Sequence, residues 1–228
     1  MSDNQIVLIT DPDVLAIPIV ESGECVVNLK EIGGLHYRDT PPETPESAPY
    51  YTILRKSIYD KILLAQKLLP KGLRFRVYEG YRSPYVQQKL FENILSGNEK
   101  AFPNLNCEKV FYKTTELVSP VINFDGSKNI PAHSTGAAVD IEIVDGNGKA
   151  IDMGMEVKDW SSVPPEICYM DCNIISNEAK RNRKILFNVL TKSGFVNYPT
   201  EWWHWSYGDR YWAYHKQCPN AIYGMLEL

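Results

Sequence analysis

Five residues near the C-terminus, Glu201-Trp202-Trp203-His204-Trp205, constrain this chain more than any other feature, because they gain a chemical meaning only beside a distant segment, His133-x6-Asp140. Two imidazoles and a carboxylate can hold one metal ion with a coordination position left open, which is the ligand count of a catalytic zinc site. Bound there, water has a pKa of about 7 and supplies a nucleophile at neutral pH. A second carboxylate three residues before the last ligand, Glu201, can take its proton and pass it to a leaving group. The fold must therefore bring His133, Asp140 and His204 together around one zinc ion per chain, and the pattern points to a hydrolase.

The other members of these residue types read more plainly. His36 and His215 lie outside the motifs and are expected to be structural or surface groups. Glu142 is expected to solvate a strand face. Trp202, Trp203 and Trp205 are expected to form core and cleft wall rather than a stacking platform for nucleic acid, since no basic groove accompanies them.

Local patterns indicate how the ligands are carried. Leu73-Arg74-Phe75-Arg76-Val77-Tyr78 alternates strictly, a half-buried strand. It runs into Glu79-Gly80-Tyr81-Arg82, after which Ser83 and Pro84 suit the N-cap and first position of a helix. Val86, Leu90, Phe91 and Ile94 give that helix its buried stripe, and Gly97 is expected to end it. Residues 137–144 form a second strand, with Val139, Ile141 and Ile143 on one face and Asp140 and Glu142 on the other, toward water or a cleft. Ile58, Ile62, Ala65 and Leu69 recur at helical spacing before Pro70-Lys71-Gly72, and residues 24–29 precede them as a short strand. Ser176 caps a helix carrying Ile185, Leu186, Val189 and Leu190 and closed by Ser193-Gly194. Residues 195–198 and 203–207 read as strands, and 209–216 as a short aromatic helix. On a regular strand Glu201 and His204 would face opposite sides, so Glu201 is expected before regular pairing begins or at a bulge. The elements do not alternate as βαβ units, which favours an α+β fold with a central antiparallel sheet flanked by helices.

At 228 residues and 44% hydrophobic content the chain is expected to form a single domain, residues 1–228, with a Pro-rich irregular connection or flap at about 40–49. A net charge of −4 without long runs of one sign argues against a nucleic-acid partner. No apolar run is long enough for a membrane span, and residues 1–5 lack a basic lead-in to an apolar run, so a cytoplasmic protein is expected, or a periplasmic one if a leader has been removed. Five scattered cysteines are expected to be free thiols.

Three motifs together, Glu79-Gly80-Tyr81-Arg82-Ser83-Pro84, His133-Ser134-Thr135-Gly136-Ala137-Ala138-Val139-Asp140 and Glu201-Trp202-Trp203-His204, resemble the M15 metallopeptidases, most closely their D-alanyl-D-alanine dipeptidase branch. The resemblance runs over most of the chain, from about Val26 to Tyr214. It implies zinc held by His133, Asp140 and His204, Glu201 as catalytic base, and Arg82 on the scissile carbonyl oxygen. It implies the α+β scaffold shared with hedgehog signalling domains. The implied substrate is a small D-amino-acid dipeptide or a cell-wall peptide, with Tyr81, Ser134, Asp159 and Trp203 as further substrate contacts. A D,D-carboxypeptidase or other peptidoglycan peptidase of the same family, and an inactive zinc-stabilised binding module, are the alternatives. Two positions depart from the family's pattern. Pro131 stands where a serine is usual. By direct count from Met153-Gly154, Lys158 stands where an aspartate that holds the substrate ammonium is usual, with Asp159 one residue later.

Overall fold

Strict alternation in two segments produces the two strands on which the rest of the molecule is built. A computed structural model describes residues 6–42 and 44–228; residues 1–5 and Glu43, inside the Pro-rich segment, lie outside the described residues. In chain order the elements are α1 (Pro12–Leu15), β1 (Val26–Asn28), α2 (Leu29–Ile32), β2 (His36–Tyr37), β3 (Ile53–Arg55), α3 (Lys56–Gln66), β4 (Arg74–Glu79), α4 (Pro84–Ala101), α5 (Cys107–Thr114), β5 (Ala138–Val144), α6 (Pro165–Cys168), α7 (Asn177–Lys192), β6 (Val196–Asn197), β7 (His204–Ser206) and α8 (Arg210–His215), with 3₁₀ turns at Pro45–Ser47, Ala132–Thr135 and Val157–Ser162.

The main sheet has the order β2-β4-β5-β7-β6, and β1 pairs with β3 in a separate antiparallel ribbon. Pairing is antiparallel from β4 to β6, as expected, but the edge strand β2 runs parallel to β4. An α+β architecture with a mixed rather than purely antiparallel sheet results. One face of the sheet carries Phe75, Val77, Val139, Ile141, Ile143 and Trp205, which pack with Ile58 and Ile62 of α3 and Leu186 and Leu190 of α7 into the core. The other face carries Asp140, Glu142, His204 and Ser206, all buried. Glu142 is thus no solvated residue: its carboxylate accepts from Nε of Arg76 at 2.9 Å, the partner a buried charge requires.

The helix starts follow the capping residues. Ser83 Oγ accepts from Val86 N and Ser176 Oγ from Ala179 N. Gly97 does not end α4, which continues to Ala101; Asn98 Nδ2 donates to Thr114 Oγ1 of α5, and α5 packing along this stretch outweighs the glycine's low propensity. The Pro-rich connection contains a 3₁₀ turn at Pro45–Ser47, and buried Ser47 donates to the carbonyl of Pro42 at 2.6 Å. The cysteines are free thiols; burial pushes Cys168 up to about 12. Among the described residues no helix is long and apolar enough to cross a membrane.

Two buried arginines tie loops to this framework. Arg183 of α7 is 1% exposed and donates to the carbonyls of Met153, Ile167 and Tyr169, which holds the loop containing the Val157–Ser162 turn. Burial lowers its pKa to about 10, so it remains charged at neutral pH. Arg183→Met leaves three carbonyls without their donor and is expected to destabilise the protein by about 3 kcal/mol, read from urea unfolding. Arg55 of β3 joins Nε to Thr135 O and both terminal nitrogens to Glu21. Burial opposes ionisation of Glu21, but the amides of Gly224 and Gly23 and the Arg55 charge outweigh it and lower its pKa below 4.5. A carboxylate lowered on folding contributes stability above its unfolded pKa, and that contribution is lost as pH falls through the folded value. Glu21→Gln should therefore reduce stability at neutral pH and flatten its loss below pH 4.5, measured as urea midpoints across that range.

Candidate metal centre and cleft

Sheet register assembles the centre. Asp140 of β5 stands opposite His204 of β7 on one side and Glu79 of β4 on the other, where a register shift after Val77 ends the regular ladder. Directly opposed residues share a face, so a row of ionisable side chains crosses three strands. His133 arrives from the Ala132–Thr135 turn, which Gly136 closes at φ 68°.

The ligand atoms form a near-equilateral triangle. Nε2 of His133 lies 3.3 Å from Oδ1 of Asp140, Nδ1 of His204 lies 3.1 Å from the same oxygen, and the two nitrogens are 3.1 Å apart. A tetrahedral zinc ion at ligand distances of 2.0–2.1 Å needs ligand atoms about 3.3 Å apart. The donor set and its spacing fit zinc. Burial would push the Asp140 carboxyl up, but the two imidazoles outweigh it and hold it well below the usual carboxylate range. Burial also opposes charge on His133, yet Asp140 raises that imidazole above its usual value; burial lowers His204 despite the same carboxylate. A divalent cation at the triangle would supply the positive charge that this buried carboxylate calls for.

Glu201 precedes β7, just after Pro199-Thr200, as expected from its spacing to His204. Its amide donates to Tyr198 O and its carbonyl accepts from His204 N at 3.2 Å, so the chain doubles back and puts both side chains on the cleft. Oε2 of Glu201 is 3.9 Å from Nδ1 of His204. Arg82 sits at the strand-to-helix corner, its guanidinium bound by both carboxylate oxygens of buried Glu79 and by Gln87 Oε1 at 3.0 Å. Three groups reach back from that corner. His133 Nδ1 donates to Gly80 O at 2.7 Å, Ser134 Oγ donates to Arg82 O at 2.9 Å, and Arg82 N donates to His133 O at 3.3 Å. The metal turn and the arginine corner are therefore one unit.

A cleft open to solvent draws together Arg82, His133, Asp140, Glu201, Trp203 and His204. The structure places three expected contacts elsewhere. Tyr81 is buried with its hydroxyl donating to Leu226 O, and Ser134 spends its hydroxyl on Arg82 O; neither lines the cleft. Val157 and Trp160 do line it. In a 3₁₀ turn residues three apart eclipse, so Lys158 and Asp159, between them, face other directions. Lys158 is exposed and paired with Glu156 at 2.8 Å. Neither Lys158 nor Asp159 is among the residues that line the cleft. Pro131, at the start of the His133 turn, contributes an apolar wall.

Sequence reasoning missed Glu79, Gln87, Tyr78 and Trp160. Gln87 carried a signal, a polar residue inside the apolar stripe of α4 one turn past the Ser83 cap; Trp160 carried none, since its role depends on Arg183 holding the loop.

Gly80 is the close-packing point of the corner. A Cβ there would be driven into the Ile53 carbonyl oxygen and within 2.8 Å of Leu54 Cδ2. Gly80→Ala is expected to cost about 1–3 kcal/mol by overpacking and to weaken zinc binding through displacement of the His133 acceptor, measured by urea unfolding and chelator competition.

The Peptidase_M15 family profile, described as D-ala-D-ala dipeptidase, matches residues 48–223. A D-alanyl-D-alanine dipeptidase of Synechocystis sp. is 27% identical over 241 residues, covering 93% of this chain and 96% of that protein. One of Escherichia coli is 36% identical over 141 residues, 58% of this chain and 54% of that protein. Among solved structures, VanYB in complex with D-alanine-D-alanine overlaps 80% of this chain and 91% of its own, with 18% identity and a TM-score of 0.40. The LdcB LD-carboxypeptidase overlaps 87% and 75%, with 18% identity and a TM-score of 0.43.

Proposed function

The chain belongs to the Peptidase_M15 family of D-Ala-D-Ala dipeptidases, and from that premise we propose that this zinc metallopeptidase hydrolyses D-alanyl-D-alanine or a closely related small dipeptide, with His133, Asp140 and His204 holding one zinc ion. The observation that carries this reading is the 3.1–3.3 Å triangle of donor atoms with Glu201 and Arg82 at its rim. Zinc held by His133, Asp140 and His204 would supply Lewis acidity and a water acidic enough to act as nucleophile near neutral pH. Glu201 takes the proton of the attacking water and delivers it to the departing amine; its place beside the His204 donor atom supports both transfers. Arg82, fixed by Glu79 and Gln87, directs its guanidinium at the carbonyl oxygen, where negative charge gathers as the bond is attacked. Trp203, Trp160 and Val157 exclude water from that charge and strengthen its interaction with Arg82.

The match to a family profile described as D-ala-D-ala dipeptidase supports a dipeptide over a long cell-wall peptide. Zinc-loaded protein is expected to release alanine from D-Ala-D-Ala and to leave longer peptides ending in the same two residues uncut. Cleavage of the longer peptides alone would instead establish a carboxypeptidase. Glu201→Gln should retain zinc while kcat falls by about 10²–10⁴-fold. Unchanged turnover in that variant would remove Glu201 from the mechanism, and zinc binding without turnover of any peptide would favour a binding module.

A further inference from the structure

Behind the metal triangle lie three buried polar atoms that reach no partner at hydrogen-bond geometry: Nε2 of His204, Oγ of Ser206 and Oδ2 of Asp209. Their grouping follows from the chain. His204 and Ser206 are two apart on β7 and share a face. Asp209 follows three residues later, past a bend in which Gly208 takes φ 81°. The Ser206 hydroxyl neighbours the Asp209 carboxylate, and that carboxylate acts electrostatically on His204 and more weakly on the triangle through His133. Asp209 is 2% exposed and held in place, because its Oδ1 accepts from Trp212 N at 2.8 Å and caps α8. Capping uses one carboxylate oxygen; the other is directed inward.

The two histidines of the triangle are then complementary. His133 presents Nε2 to the metal position and donates Nδ1–H to Gly80 O. His204 presents Nδ1, so its proton resides on Nε2, and that N–H is buried. Metal-ligating histidines give their second N–H to a carboxylate, carbonyl or water, which fixes the tautomer and strengthens the donor nitrogen. We propose that Asp209 is the acceptor behind His204, directly or with the Ser206 hydroxyl as link, and so a positioning residue that locks His204 into its Nδ1-ligating tautomer. Because Asp209 also caps α8, zinc binding and the seating of that helix are joined through one side chain.

This inference rests on the assignment of zinc to the triangle, and the test separates the two. Zinc affinity is measured by chelator competition for the wild type, Asp209→Asn and Ser206→Ala, with apo-protein thermal unfolding in parallel. Asp209→Asn keeps the cap acceptor and the shape and removes the charge. It is expected to weaken zinc binding about 10–100-fold while apo-protein stability stays near the wild-type value; Ser206→Ala should give a smaller loss in the same direction. Wild-type zinc affinity in Asp209→Asn overturns the proposal, whereas a wild type that binds no zinc overturns the metal assignment instead. If Asp209→Asn does not fold, the zinc-loaded wild type decides by long-range ¹H–¹⁵N spectra. A protonated, exchange-protected Nε2 on His204 supports the proposal, and a proton on Nδ1 or rapid exchange at Nε2 overturns it.

Discussion

A carboxylate buried between two imidazoles is the constraint around which this molecule is arranged. Asp140 sits in the middle of a strand whose seven residues are all buried. Leaving its charge uncompensated there would be prohibitive, because an isolated ion in a low-dielectric interior is far less stable than one in water. Register and the His133 turn supply the partners: His204 lies across one strand boundary and His133 reaches the same carboxylate oxygen, while Glu79 across the other boundary has its own charge met by Arg82. The sheet therefore does more than support the site. Its hydrogen-bond ladder determines which charges are abreast, and a slip of one residue would exchange Asp140 for Val139 and turn the site into the core.

Around that row the site is held by backbone rather than by exposed side chains. The Glu79-Gly80-Tyr81-Arg82 corner and the His133 turn exchange three hydrogen bonds, and Arg55 adds a fourth from the opposite side through Thr135 O. Residues that resembled substrate contacts, Tyr81 and Ser134, are the fasteners of this unit. Such an arrangement keeps the metal-donor atoms and the Arg82 guanidinium in fixed relation, the preorganisation that the role proposed for Arg82 calls for. The outer wall is set differently. Trp160 and Val157 depend on a loop that Arg183 draws onto α7, so the shape of the pocket rests on an arginine distant from the chemistry.

Alternation and capping carried much of the architecture in the sequence itself. Phe75 and Val77, and Val139, Ile141 and Ile143, announced the two central strands, and Ser83-Pro84 and Ser176 announced two helix starts. Glu142 and Gly97 misled for one reason: each was read from local pattern, whereas a cross-strand arginine and a packed neighbouring helix decided their surroundings. Asp159 misled by direction, because counting residues does not reveal a 3₁₀ turn that points positions 157 and 160 inward and the two between them away.

By itself the sequence determined the chemistry. His133, Asp140 and His204 are a donor set that can hold a metal ion, and Glu201 is the carboxylate proposed as its base; these identities are legible because ligand and acid-base character are properties of single side chains. Tertiary structure alone decided the rest. It chose which nitrogen of each histidine faces the metal position, bound Arg82 to Glu79 and left Lys158 and Asp159 out of the cleft lining. These outcomes depend on register, turn geometry and desolvation, quantities that belong to pairs of distant segments and exist only once the chain has folded.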